Sequence, residues 1–234
     1  MRIGILIRDI HTLLNWELRI IEHLKDNPNY ELVVLLKDGR QSETSKTSLF
    51  QKVSGFLKKK NLLGKFLFYS QVKIEEIFFY QRPTSVDSEK ILNYLKSIPE
   101  EKLFPKRKGF LDIFSEMDAN KAKQYNLDLI LRFEFNIIRG EILNAAKYGV
   151  WSFHHGDNAI NRGGPAGFWE IALKQPVVGV TLQQLTPELD GGLVIDKAYY
   201  SKHWSYAKTN MMLTENSVNL LLKNLRLLHE GNNN

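Results

Sequence analysis

Short apolar runs alternate with amphipathic segments along most of this chain. Arg2–Ile7 ("RIGILI") and Tyr30–Lys37 ("YELVVLLK") are compact and β-rich, and between them Leu14, Leu18, Ile21 and Leu24 recur at helical spacing. Thr12 is placed to cap that helix. Strand, helix and strand in this order make a βαβ unit, hence a parallel sheet. The pattern resumes at Asn126–Phe135 ("NLDLILRFEF"), a strand. "NIIRGEILNAAKYG" after it predicts a loop and a helix stopped by Gly149. Val150–His154 ("VWSFH") is the next strand, and Pro165 opens a helix carrying Phe168, Trp169 and Ile171. Val177–Leu185 and Leu193–Tyr200 are strands joined by the turn-rich "TPELDGG", so they pair as an antiparallel hairpin. Asn216–Leu228 is a closing helix.

The stretch from 38 to about 120 is less regular. Phe56–Arg82 is a basic, aromatic-rich helical segment with a break expected near Gly64. Packing against the domain or a partner is the favoured reading for its rings, with a membrane surface as the alternative. Asp87–Leu95 is a further helix and Pro99–Gly109 a loop. The expectation is one α/β domain over residues 1–234: a Rossmann-like, mostly parallel twisted sheet with helices on both faces. An antiparallel hairpin lies near its C-terminal end, and a basic helical insertion spans about 45–110.

Composition narrows the chemistry. Hydrophobic residues make up 43% and charged residues 25%, as in ordinary globular proteins. There is no cysteine, which excludes disulfides, thiolate metal sites and cysteine nucleophiles. No apolar run is long enough to span a bilayer, and Arg8 and Asp9 follow the first strand too closely for a signal peptide, so a cytoplasmic protein is expected. The net charge of +6 is compatible with nucleic acid, anionic lipid or phosphorylated small molecules, but much of it is local, in Lys58–Lys60 and Lys102–Lys108. The first strand-to-helix turn, "RDIHTLLN", has no glycine, so no dinucleotide cofactor is expected.

Candidate chemistry gathers where ligands bind in open α/β sheets, beyond the carboxyl ends of the strands. His154 stands at such an end. Alternation places Ser152 and His154 on one side of the strand, with Phe153 and His155 on the other. Asp190 sits in the hairpin loop before two glycines. Ser152 lies within a strand, not on a nucleophile elbow, which argues against a serine hydrolase. The adjacent histidines diverge and no HxxxH accompanies them, so no metal is expected. Acyl transfer to an amine suits the set better: an imidazole can serve the oxyanion and a carboxylate the nitrogen's proton.

At these residues the sequence resembles the folate-dependent formyltransferases, the family of glycinamide ribonucleotide, methionyl-tRNA and nucleotide-sugar N-formyltransferases. The resemblance is carried by Ser152-Phe153-His154, Arg162-Gly163, Phe168-Trp169, Gly179-Val180-Thr181 and Leu189-Asp190-Gly191-Gly192, in the family's order, and covers about residues 127–200. It implies a formyl transfer from 10-formyltetrahydrofolate to a primary amine, without a metal. His154 and Asp190 would be catalytic, with Ser152 offering a further hydrogen bond. Phe133, Glu134, Phe135, Ile137 and Ile138, with Leu189 and Asp190, would form the walls of the folate pocket. His155, Asp157, Asn158 and Arg162 are candidates for the acceptor. Two departures stand out: the family's asparagine is Ser152 here, and "GDNAIN" (Gly156–Asn161) replaces a largely apolar loop.

The leading acceptor is a nucleotide-linked amino sugar. A tRNA is disfavoured because the chain ends soon after the catalytic-type domain. The basic segment 56–82 leaves room for a membrane-proximal acceptor, and a homodimer is compatible with the sequence. Water as acceptor would give a formyltetrahydrofolate hydrolase. The contrasting readings are a methionyl-tRNA formyltransferase-like activity, a non-catalytic folate- or partner-binding relative, made credible by Ser152, and a nucleic-acid-binding module.

Overall fold

The computed structural model describes residues 1–40, 62–79, 86–157, 159–160, 166–188 and 192–231. The first strand, β1 (Arg2–Ile7), is followed by helix α1 (Asn15–Asp26) and strand β2 (Glu31–Asp38), the expected βαβ unit. Next come α2 (Leu62–Phe79), α3 (Ser88–Ser97), β3 (Glu100–Leu103), β4 (Lys106–Lys108), β5 (Leu111–Phe114) and α4 (Glu116–Lys123). The second half runs β6 (Leu129–Arg132), β7 (Ile137–Gly140), β8 (Val150–His154), α5 (Phe168–Ala172), β9 (Val177–Gln184), β10 (Leu193–Ser201) and α6 (Tyr206–Gly231).

Seven strands form the main sheet in the order β10-β9-β8-β6-β1-β2-β3, and β4-β5-β7 form a second, smaller sheet. Strands β8, β6, β1, β2 and β3 are mutually parallel, while β9 and β10 run antiparallel as the predicted hairpin. Apolar side chains leave the sheet on both faces. One face packs Ile3, Ile5, Leu129, Leu131 and Trp151 against Leu18, Ile21 and Leu24 of α1, Leu95 of α3 and Leu221 of α6. The other packs Leu6, Leu36, Ile130 and Val150 against Phe114, Ala119 and Ile142. From β1 the chain builds outward to β2 and β3, then crosses back to lay down β6 and β8 on the other side. The crevice of an open sheet forms where that order reverses, here between the carboxyl ends of β1 and β6.

Several local expectations change. Helix α1 begins at Asn15, not after Thr12; Asp9 accepts from the His11 amide to cap a 3-10 turn that contains Thr12. Leu14 then occupies the cap position with no side-chain oxygen, and the Glu17 carboxylate accepts its backbone N–H at 2.7 Å. Strands β3 and β4 occupy the expected loop 99–109. β3 has no apolar alternation because it is an edge strand, held to β2 by backbone pairing and by Lys37–Glu100. The expected helix before Gly149 is strand β7 and a 3-10 turn at Glu141–Asn144. Strand β6 ends at Arg132, short of Phe135, and α6 is twice as long as predicted. Helix α2 runs through Gly64 without a break, and Pro165 lies outside the described residues.

Candidate active site

Strand β8 carries Ser152 and His154 toward the crevice. In its register with β9, Ser152 faces Gln183 and His154 faces Thr181. Side chains diverge as expected: Phe153 and His155 stack on each other at 5.8 Å, and both meet Trp16 of α1 edge-on. Ser152 turns to the opposite face, where Arg132 Nη1 donates to its Oγ at 2.7 Å. His154 is half-buried at the strand end.

The loop after His154 folds back at once, with the Gly156 amide donating to the His154 carbonyl. Strand β9 explains why Gly179-Val180-Thr181 accompanies this turn. Thr181 Oγ1 donates to the Gly156 carbonyl, and a Cβ on Gly179 would stand 3.1–3.3 Å from the atoms of Asp157. A glycine at 179 is what lets the loop cross the strand so closely. Asp157 is consumed in holding this turn: it accepts from Lys197 Nζ at 2.8 Å, Tyr199 Oη at 2.9 Å and the Ala159 amide. Those partners hold its carboxyl below the usual range despite burial.

The loop from Phe133 spends its side chains on the scaffold. Phe133 packs edge-on against Trp16, and Phe135 packs against Phe114 in the core. Glu134 accepts from the amides of Arg8 and Asp9 and from Thr12 Oγ1, tying the end of β1 to the end of β6. Ile138 is buried and Ile137 exposed, both on β7. Phe135 has φ +85, a conformation costly for a bulky residue. Arg132 Nη2 donates to the carbonyls of Phe135 and Asn136, at 2.5 and 3.0 Å, and the Asn136 amide donates to Asp112. Much of the loop's backbone is bonded within the protein as well, the Phe133 amide to the Leu6 carbonyl and the Ile137 amide to the Phe110 carbonyl.

Arg139 on β7 bonds the Ile138 carbonyl and lies 3.5 Å from that of Thr186, so it spans the two walls expected of the folate pocket. Its buried Nη2 has no hydrogen-bond partner among the described residues. Sequence reading missed Arg132, Arg139 and Trp16, because an arginine inside a strand pattern and a tryptophan on a helical stripe carry no motif. Asn158, Arg162, Leu189 and Asp190 lie outside the described residues. The structure thus links Ser152 to the 133–138 loop through Arg132, with His154 two residues on at the end of β8, while His155 and Asp157 are engaged elsewhere.

Glu17, 3% exposed, has its pKa raised to about 7 by burial and by the neighbouring charge of Glu134, against the opposing pull of the Leu14 amide and Arg132. Burial, with the charge of His154, lowers His155 to about 4, so its imidazole is neutral at physiological pH. No described helix is long and apolar enough to cross a membrane.

Glycinamide ribonucleotide transformylase 1 from Symbiobacterium toebii shares this fold with a TM-score of 0.61 at 14% identity, over 99% of this chain and 88% of that one. A formyltetrahydrofolate deformylase from Pseudomonas syringae pv. tomato matches at 0.55 and 12%, over 99% of this chain and 62% of its own. WlaRD, a sugar 3N-formyltransferase crystallised with dTDP and 5-N-formyl-THF, matches at 0.53 and 13%, over 99% and 64%. No protein-family model and no curated protein matches the chain. At these identities the likeness is one of fold.

Proposed function

We propose, on the premise that this chain has the formyltransferase fold, that it transfers a formyl group from 10-formyltetrahydrofolate to a primary amine. The observation that carries the reading is the coincidence of fold and motif. His154 ends β8 with Ser152 on its face and Gly179 and Thr181 under its turn, in a chain alike in fold to formyltransferases over 99% of its length. The Nη2 of Arg139, without a hydrogen-bond partner among the described residues, fits an acceptor-bearing ligand such as the folate.

In this reading the amine attacks the formyl carbon directly. The carbon–nitrogen bond to N10 breaks, the electron pair returns to N10, and tetrahydrofolate leaves with the proton the amine loses. His154 stabilises the oxyanion of the tetrahedral intermediate. Asp190 holds His154 and assists loss of the amine proton. Ser152 offers a further hydrogen bond, and the backbone of residues 133–138 holds the pterin. The acceptor we favour is a nucleotide-linked amino sugar. Arg162 and Asn158 are kept as its contacts; for His155 and Asp157 the observed packing supports a scaffold role beneath the same site.

A non-catalytic folate-binding relative is the second reading, and Ser152 favours it, since a buried serine hydroxyl is a shorter donor than the asparagine of the resembled family. Calorimetric titration with 5-formyltetrahydrofolate and turnover with a panel of amino-sugar nucleotides separate the two. Active wild type, with His154→Ala slowed by about 100-fold or more and still binding the analogue, supports catalysis. Binding without turnover by any amine supports the second reading, and no binding at any accessible concentration removes both.

A further inference from the structure

Arg132 is the least economical residue in the crevice. It follows Leu131, which pairs with Trp151, so it stands beside Ser152 across the β6–β8 ladder. Among the described residues its hydrogen bonds all go to neutral oxygens: Ser152 Oγ, the Phe135 carbonyl and the Asn136 carbonyl. Its Nε is buried and has no hydrogen-bond partner among the described residues. Glu17 and Asp112 favour its charge only through space, and Arg8 opposes it. Burial lowers its pKa to about 10, which leaves it cationic at neutral pH. A buried cation without a contacting anion is costly to keep.

Ser152 is 2% exposed, so water does not serve its hydroxyl. The hydroxyl accepts the Arg132 N–H, and its own proton remains to be donated. Among the described residues its acceptor is the adjacent Phe153 carbonyl at a long 3.4 Å. Ser152 lies on the same side of β8 as His154, two residues on. An N–H from a guanidinium draws electron density from the oxygen and makes the remaining O–H a stronger donor.

We propose that Arg132 is a positioning residue that turns Ser152 into a charge-assisted oxyanion donor, so that the pair replaces the asparagine amide of the resembled family. The inference rests on the formyl-transfer reading. The guanidinium gains a Coulomb partner when negative charge develops on the formyl oxygen, and lacks one before. Such an interaction strengthens toward the transition state and so raises kcat more than it tightens binding. The same side chain braces the Phe135 turn, which gives a purely structural role as the rival explanation.

The test compares wild type with Arg132→Gln, which keeps a donor without charge, and with Arg132→Ala/Ser152→Asn, in which an amide fills the space the guanidinium leaves. Three quantities are measured: kcat with an accepted amine, Kd for 5-formyltetrahydrofolate, and the infrared carbonyl stretch of 13C-formyl-labelled 10-formyltetrahydrofolate bound anaerobically without acceptor. The expected result is a kcat loss of roughly 100-fold in Arg132→Gln, as for removal of one oxyanion donor. Kd should change less than about threefold, the carbonyl stretch should move toward its free frequency, and the double variant should recover kcat to within about tenfold of wild type. Loss of kcat and affinity together, with no recovery in the double variant, would show a loop brace and overturn the proposal. An Arg132→Gln enzyme with unchanged kcat and carbonyl stretch would overturn it while leaving the formyltransferase reading intact. A wild type that binds neither folate overturns both.

Discussion

His155 shows how neighbours decide what a residue can do. As one of two adjacent histidines in a polar loop it reads as a substrate contact, yet its ring lies between Phe153 and Trp16, its Nε2 buried and without a hydrogen-bond partner among the described residues. Its folded pKa of about 4 is below the unfolded value near 6.5. The unfolded chain therefore takes up a proton first as pH falls. The stability linked to His155 is complete above about pH 6.5 and is lost as pH falls through about 4. Glu17 works in the opposite sense: its raised pKa gives stability that is complete below about 4.5 and lost as pH rises through about 7. Comparing wild type with His155→Phe at each pH cancels the Glu17 contribution. Relative to wild type, the variant should gain on going from pH 7.5 to 4, by up to about 3 kcal/mol. Urea midpoints across that range measure it, and parallel curves for the two proteins would refute the assignment.

Among the elements, β7 is where backbone geometry outweighs sequence pattern. "NIIRGEIL" has apolar residues spaced well enough for a helix, but Gly140 sits at φ +94 and a Cβ there would stand 2.0 Å from the Phe114 carbonyl. That contact belongs to the β5–β7 pairing, in which Phe114 meets Gly140. Glycine permits both the turn and the close approach, and alanine permits neither. Gly140→Ala should destabilise the fold by more than about 2 kcal/mol. Because β7 carries Ile137, Ile138 and Arg139, it should also weaken 5-formyltetrahydrofolate binding under conditions where the variant stays folded. An unchanged urea midpoint would show that β5 and β7 separate at little cost. Gly149, read as the stop of that helix, instead closes the turn before β8 with φ +68.

For the whole molecule, the described part of the basic aromatic segment packs against the domain. Glu75 of α2 is buried and accepts from Ser205 Oγ and the Ala207 amide at the N-terminus of α6. Phe68 meets Phe168 and Tyr206. A carboxylate on the exposed N–H groups of a helix start is favoured by both hydrogen bonding and the helix dipole. Residues 56–61 and 80–82 of the segment lie outside the described residues. Glu75→Ala should leave Ser205 and the α6 amides without their partner, costing about 1–3 kcal/mol. It should also speed tryptic cleavage at Lys73 several-fold; equal cleavage rates in the two proteins would mean that α2 is held by its rings alone.

The amino-acid order by itself determined the βαβ start, the parallel sheet and the β9–β10 hairpin, because apolar periodicity and turn residues are local signals that each element carries within itself. It also placed Ser152 and His154 on one side of β8, since alternation along a strand follows from backbone geometry. Tertiary structure alone decided that an edge strand forms from Glu100–Leu103, that Asp157 braces its turn through Lys197 and Tyr199, and that Arg132 reaches Ser152. Each of these joins residues far apart in sequence, or depends on a neighbouring strand's unpaired backbone. No local pattern can encode such a contact; it exists once the sheet order has brought the partners side by side.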